Sequence, residues 1–293
     1  MKIEGRRTSK NVDDRRKGTK VAAAGGGAIA IIGLLLYFIT GNTGALNLAQ
    51  APSAQCTTCE CQCEKSNDKN CIDNCKKSVD PEEERLAHFS SVILASTEDV
   101  WTSVFSEHQL NYVPPKLVLF SKQTHSKCGQ AQSETGPFYC PADQSVYIDL
   151  NFFMNLKRYI GVSGDFAYAY IIAHEVGHHV QYLTGSMREV NRLSAMGSKK
   201  QANELSVRQE LQADYYAGVW AHHENERFKS LSDKDIKIAL EAAAAVGDDS
   251  LGHQHETFTH GSAEQRSRYL KLGFSTGKMK GADSVYTVSY TDL

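Results

Sequence analysis

Proline is scarce. Six prolines in 293 residues exclude a collagen-like or proline-rich filament. Internal repeats are absent. Neither sign of charge prevails: 32 Lys and Arg face 34 Asp and Glu, a net charge of -2, so no overall basic field would draw the chain to nucleic acid. What is present is ordinary for a folded protein, with 41% hydrophobic and 23% charged residues, and this excludes global disorder. The length exceeds what one small domain needs and falls short of two large ones.

One stretch lacks charge altogether. The first 20 residues carry eight Lys or Arg against three acidic residues, whereas 21–39 (VAAAGGGAIAIIGLLLYFI) carry none. That run is about as long as a helix needs to cross the hydrocarbon core, and its second half is strongly apolar. Arg15, Arg16, Lys17 and Lys20 precede it, and no charge follows until Glu60. The positive-inside rule then predicts a cytoplasmic N-terminus, a transmembrane anchor at 21–39 and an extracytoplasmic remainder, periplasmic or extracellular. The alternative is a cleaved signal peptide, with Ala49-Gln50-Ala51 as a small-x-small site.

Eight cysteines, an even number, suit an oxidising compartment. A Cys128–Cys140 disulfide is the first expectation; closing a loop of that size constrains the unfolded chain by ~3 kcal/mol. Cys56, Cys59, Cys61, Cys63, Cys71 and Cys75 crowd into one polar stretch that has too few apolar side chains for a core. They predict a small disulfide knot or a metal-thiolate site. A disulfide-linked partner or dimer through the Cys56–Cys75 stretch is a further expectation.

The expected organisation is a basic cytoplasmic segment at 1–20, the anchor at 21–39, a linker with the cysteine-rich stretch at 40–79, and a catalytic domain at 80–293. Apolar spacing predicts helix over 82–108, and Leu117–Phe120 and Val146–Leu150 read as short strands. Helices are predicted at Asp165–Thr184, stopped by Gly185, and at about 200–224. Ser232 with Asp235, and Ser262 with Gln265, form capping boxes for helices ending near Gly247 and Gly273. Few strands and many helices give an α+β domain.

The chemistry concentrates at His174-Glu175-Val176-Gly177-His178. Histidines four apart on a helix project from one face and can bind one Zn²⁺. Glu175 borders the same place, where it can take a proton from zinc-bound water and pass it to a leaving amine. The plain alternative is a pair of surface histidines on an amphipathic helix. A catalytic zinc needs a third ligand, and Glu210 and Asp214 stand four apart amid Leu211, Ala213, Ala217 and Trp220. Two carboxylates there would be costly to bury without partners. Glu210 is the expected ligand, and Asp214 is expected to accept from a ligand imidazole; the reverse assignment is the alternative. Gly177 would allow close approach of the Glu210 helix. His260 is a candidate oxyanion donor, with Tyr215, Tyr216 and His255 as alternatives, and Arg266 is a candidate partner for an acidic group. An extended peptide substrate would pair with an edge strand, either Val146–Leu150 or the segment before it, Gly136–Cys140.

HEVGHHVQ at 174–181, ELQADYYAGVWAHH at 210–223 and THGSAEQRSRYLKLGF at 259–274 resemble the bacterial putative neutral zinc metallopeptidase family. GRRTSKNVDDRR at 5–16 and CGQAQSETGPFYCPADQSVYIDLNFF at 128–153 are similar to it too. The resemblance implies a mainly helical zincin or gluzincin-like domain with a small sheet, Zn²⁺ as cofactor, peptide-bond hydrolysis, Glu210 as third ligand and His260 near the active site. The six-cysteine stretch departs from that pattern. A silent or latent metal-binding scaffold or chaperone at the membrane, or an interaction protein working through its cysteines, remains the alternative.

Overall fold

A computed structural model describes residues 1–16, 80–132 and 135–293. The expected anchor at 21–39 and the cysteine stretch at 56–75 lie outside the described residues. Among these, no helix is long and apolar enough to cross a membrane. Helices dominate, joined by a four-stranded sheet and a two-stranded hairpin, so the α+β class holds.

Strand β1 is Val12–Asp14 and helix α1 is Pro81–Glu107. Asp80 caps α1 by accepting from Glu82 N; Pro81 fits the first turn, and Glu82, Glu83 and Glu84 face the positive end of the helix dipole. Strands β2 (Lys116–Phe120), β3 (Gln123–Ser126), β4 (Gly129–Gln132), β5 (Phe138–Cys140) and β6 (Ser145–Asp149) follow. The main sheet runs β1-β2-β6-β5; β1, β2 and β6 are parallel and β5 is antiparallel to β6. Both of its faces are covered. Leu117, Leu119, Val146 and Ile148 enter the main core, while Val118, Phe120 and Tyr147 pack with Phe138 and with Ala131 of the β3–β4 hairpin. Burial on both faces explains why β2 is continuously apolar rather than alternating. Cys128 and Cys140 form the expected disulfide, fastening the hairpin to β5.

Three corrections follow. Of the two candidate edge strands, the one ending at Asp149 lies between β2 and β5, whereas the Gly136–Cys140 segment holds β5 and is an edge. The residues between the two predicted strands also hold a hairpin, β3 and β4, for which no strand was expected. The largest concerns residues 1–16, expected as a separate basic segment. They belong to the domain: β1 pairs Val12, Asp13 and Asp14 with Leu117, Val118 and Leu119, and Arg6 places its guanidinium on the buried Glu224, Nη2 to Oε2 at 2.8 Å.

Two short helices, α2 (Leu150–Met154) and α3 (Leu156–Ile160), lead to α4 (Asp165–Thr184). Gly185 ends α4 in the left-handed region, as predicted. The helix is not amphipathic: every residue from Phe166 to Gln181 is buried, because α1, the sheet and later helices enclose it. Helices α5 (Ser186–Met196), α6 (Lys199–Phe228), α7 (Asp233–Ala245), α8 (Ala263–Thr276) and α9 (Ser284–Thr287) complete the fold. Both predicted capping boxes form. The last of them starts α8, which ends at Gly277 rather than Gly273. Gly273 lies inside α8, where a Cβ would stand 2.0 Å from Tyr215 O of α6; a Cβ on Gly218 would stand 2.2 Å from Leu270 O. This pair of glycines lets α6 and α8 cross backbone to backbone.

Candidate metal centre

Helices α4 and α6 meet where both carry small residues. A Cβ on Gly177 would stand 2.8 Å from Ala213 O, so glycine permits the approach that the sequence suggested. One turn of α4 then faces one turn of α6. His174 and His178 present their Nε2 atoms to Glu210 at 3.2 and 3.3 Å. Ligand atoms of these three residues lie within 4.8 Å of one another, and all three side chains are buried.

The donor set fits a divalent cation. Both Glu210 oxygens are buried and have no hydrogen-bond partner, despite the nearby imidazoles. Each imidazole is held by its other nitrogen: His174 Nδ1 meets Asp214 Oδ1 at 2.8 Å, and His178 Nδ1 meets Gln181 Oε1 at 2.9 Å. The Nε2 atoms are thereby aimed at the carboxylate. Burial works against charge on the histidines, but Asp214 and Glu210 outweigh it and raise His174 to about 9; His178 is raised too, chiefly by Glu210. Burial likewise opposes charge on Glu210, and the two imidazoles hold it well below the usual carboxylate range. The cluster therefore calls for positive charge at its centre. Two histidines and one glutamate match the ligand chemistry of catalytic zinc.

A model of the family described as "Putative neutral zinc metallopeptidase" matches residues 1–285. The chain belongs to this family. It is 41% identical to the uncharacterized protein YpfJ of Escherichia coli K12 over 295 aligned residues, 94% of this chain and 96% of YpfJ. It is 43% identical to an uncharacterized protein of Mycobacterium tuberculosis H37Rv over 214 residues, 68% of this chain and 69% of that one. No solved structure matches it significantly.

Around the cluster, Asp214 is the hub. Its oxygens take Tyr170 Oη at 2.6 Å, Arg266 Nε at 2.7 Å and His174 Nδ1. Arg266 is buried and also lies 3.6 Å from Glu210. Burial alone would raise Asp214; Arg266 and His174 bring it below its ordinary value. Glu175 is buried beside the histidines, its Oε1 without a hydrogen-bond partner, and burial raises its pKa. An apolar crevice bordered by Pro137, Phe152, Leu156, Ile160, Ala242 and Val246 opens against His174.

His260 is buried on the loop before α8. Asp248 holds it, accepting from the His260 and Gly261 backbone N–H groups and meeting His260 Nδ1 at 3.1 Å. Burial opposes the charge on Asp248, but these bonds bring it to about 2. The loop rests on α6, since a Cβ on Gly261 would lie 3.2 Å from Val207. The other oxyanion candidates serve elsewhere. Tyr215 Oη meets Thr276 and Lys278 O, Tyr216 packs edge-on against Trp101, and His255 is exposed beside Phe258.

Sequence reasoning passed over Tyr170, Gln181 and Asp248. The first two had a signal: Tyr170 precedes His174 by four residues, and Gln181 follows His178 by three, which is same-face spacing on a helix. Asp248 had none, because a loop carboxylate takes its role from tertiary approach. His179 is a buried brace. Its Nε2 meets Val113 O at 2.7 Å and its Nδ1 meets Tyr139 Oη of β5 at 2.9 Å.

Proposed function

We propose that the protein is a zinc-dependent peptidase that cleaves peptide bonds by general-base hydrolysis. The observation that carries this reading is the convergence of His174 and His178 on Glu210, whose two buried oxygens have no hydrogen-bond partner, with Glu175 alongside, its Oε1 likewise without one. His174 Nε2, His178 Nε2 and Glu210 would hold Zn²⁺. Zinc bound there supplies Lewis acidity and makes water more acidic.

The chain's own groups do the rest. Glu175 Oε1 takes a proton from the attacking water and delivers it to the amine nitrogen as the C–N bond breaks. Asp214 keeps the His174 proton on Nδ1, and Arg266 balances the charge of Asp214. His260, fixed by Asp248, is assigned to steady the developing oxyanion. Strand β5 is the sheet edge braced to α4 through Tyr139, which makes it the candidate strand for pairing an extended peptide.

The test compares peptide hydrolysis by the full-length chain with that of Glu175→Gln, metal content measured in both. We expect the variant to keep one zinc and to lose at least about two orders of magnitude in kcat. A zinc-loaded wild type that cleaves nothing in a broad peptide library would overturn the reading.

A further inference from the structure

We infer that residues 1–16 and the domain at 80–293 lie on one side of any membrane the chain meets, so that the apolar run at 21–39 does not carry the chain across. This is independent of the peptidase reading. It replaces the arrangement drawn from the sequence, in which the N-terminus and the domain occupy opposite sides.

Three observations carry it. The first is backbone pairing: Leu117 N donates to Asn11 O at 2.8 Å and Arg15 N to Leu119 O at 2.8 Å, so β1 is a full member of the parallel sheet. The second is charge. Glu224 is completely buried at the far end of α6, and the cation beside it is Arg6, which grips both of its oxygens. Glu98, buried on α1, meets Arg7 at 3.0 Å and Asn11 Nδ2 at 2.8 Å. Taking either carboxylate out of water without these partners would cost several kcal/mol. The domain is therefore shaped to receive this arm. The third is where the arm ends. Arg16 reaches Glu84 at 3.1 Å and Glu83 at 3.7 Å, in the first turn of α1. Arg16 and the start of α1 thus lie at one corner of the domain.

A single crossing would put these two ends on opposite faces of a bilayer. Returning to the same face takes an even number of crossings, and a run of this length supplies about one. The positive charge that suggested a cytoplasmic tail has another use. Arg6, Arg7 and Arg16 meet Glu224, Glu98 and Glu84 of the domain, and Arg15 donates to His125 O. They are fold contacts, and the rule that reads orientation from basic residues gives a misleading answer when those residues are structural.

The experiment inserts one epitope at Gly5 and another at Gly252, both exposed, in the full-length chain. Sealed membrane preparations from the expressing cells are treated with protease, with and without detergent. Both epitopes should be cut together or protected together before detergent. One cut while the other is protected would overturn the inference. If the Gly5 insertion does not fold, the pair Ser9→Cys and Ser91→Cys reads the same docking, since Ser9 N lies 3.1 Å from Ser91 O. A 9–91 crosslink within one chain in membrane-extracted protein supports the inference, and its absence from the folded double variant overturns it.

Discussion

Asp214 touches His174, Tyr170 and Arg266 at once, so its charge does three things: it fixes a tautomer, anchors a phenol and neutralises a buried guanidinium. Asp214→Asn keeps the shape and removes the charge. Zinc affinity, measured by chelator competition, should fall about 10- to 100-fold, with the ligand set intact. His179 gives a prediction about pH. Its neutral ring donates from Nε2 to Val113 O and accepts at Nδ1 from Tyr139, and burial lowers its pKa to about 4. As pH falls, the unfolded chain takes up this proton first, near pH 6.5. The contribution is whole above that value, is lost between about 6.5 and 4, and changes no further below 4. It amounts to about 3 kcal/mol. Urea midpoints of wild type and His179→Gln across this range should show the variant's slope shallower by nearly one proton.

Helix crossings follow from single glycines. On α6, Gly218→Ala would press a methyl to 2.2 Å from backbone Leu270 O, whereas Gly177→Ala meets Ala213 O at 2.8 Å. Overpacking of this kind costs about 1–3 kcal/mol, and Gly218→Ala should be the worse of the two in thermal melts. Equal, negligible losses would mean that the helices separate freely. The functional consequence differs as well: Gly177→Ala displaces Glu210 from the histidines and should weaken zinc binding, while Gly218→Ala acts away from the metal. At this scale much was legible. The Asp165–Thr184 helix, both capping boxes and the strands read at Leu117–Phe120 and Val146–Leu150 announce themselves through local chemistry, although Leu150 itself begins α2. Four-residue strands such as β3 and β4 carry too little alternation to stand out. Gly273 read as a helix stop because glycine favours helix ends, yet here it serves a crossing.

The candidate metal cluster was legible because His174 and His178 sit four apart on one strong helix, and Glu210 and Asp214 four apart on another, whereas the place of the first sixteen residues was not. Val12-Asp13-Asp14 contains one apolar residue, and nothing local marks it as a strand; its partner is more than a hundred residues away. A signal lay on α1 in Glu98, an acid among apolar helix positions without a local cation; Glu224 gave none, because Arg227 three residues on is a plausible partner that the structure instead gives to Asp99. Arg6 is the cation for Glu224. Arg6→Met would leave a buried, uncompensated carboxylate and should destabilise the domain by about 3–5 kcal/mol in urea unfolding. Adding Glu224→Gln removes the orphan charge and should recover a large part of that loss, because Ser96 and Ser230 still bond the side chain. A domain begun at residue 80 would lose β1 as well, baring the edge of β2, and should be less stable than Arg6→Met. If instead the shortened domain melts with the full-length chain, the arm contributes nothing to the fold, and the pairing of Arg6 with Glu224 would have to be incidental.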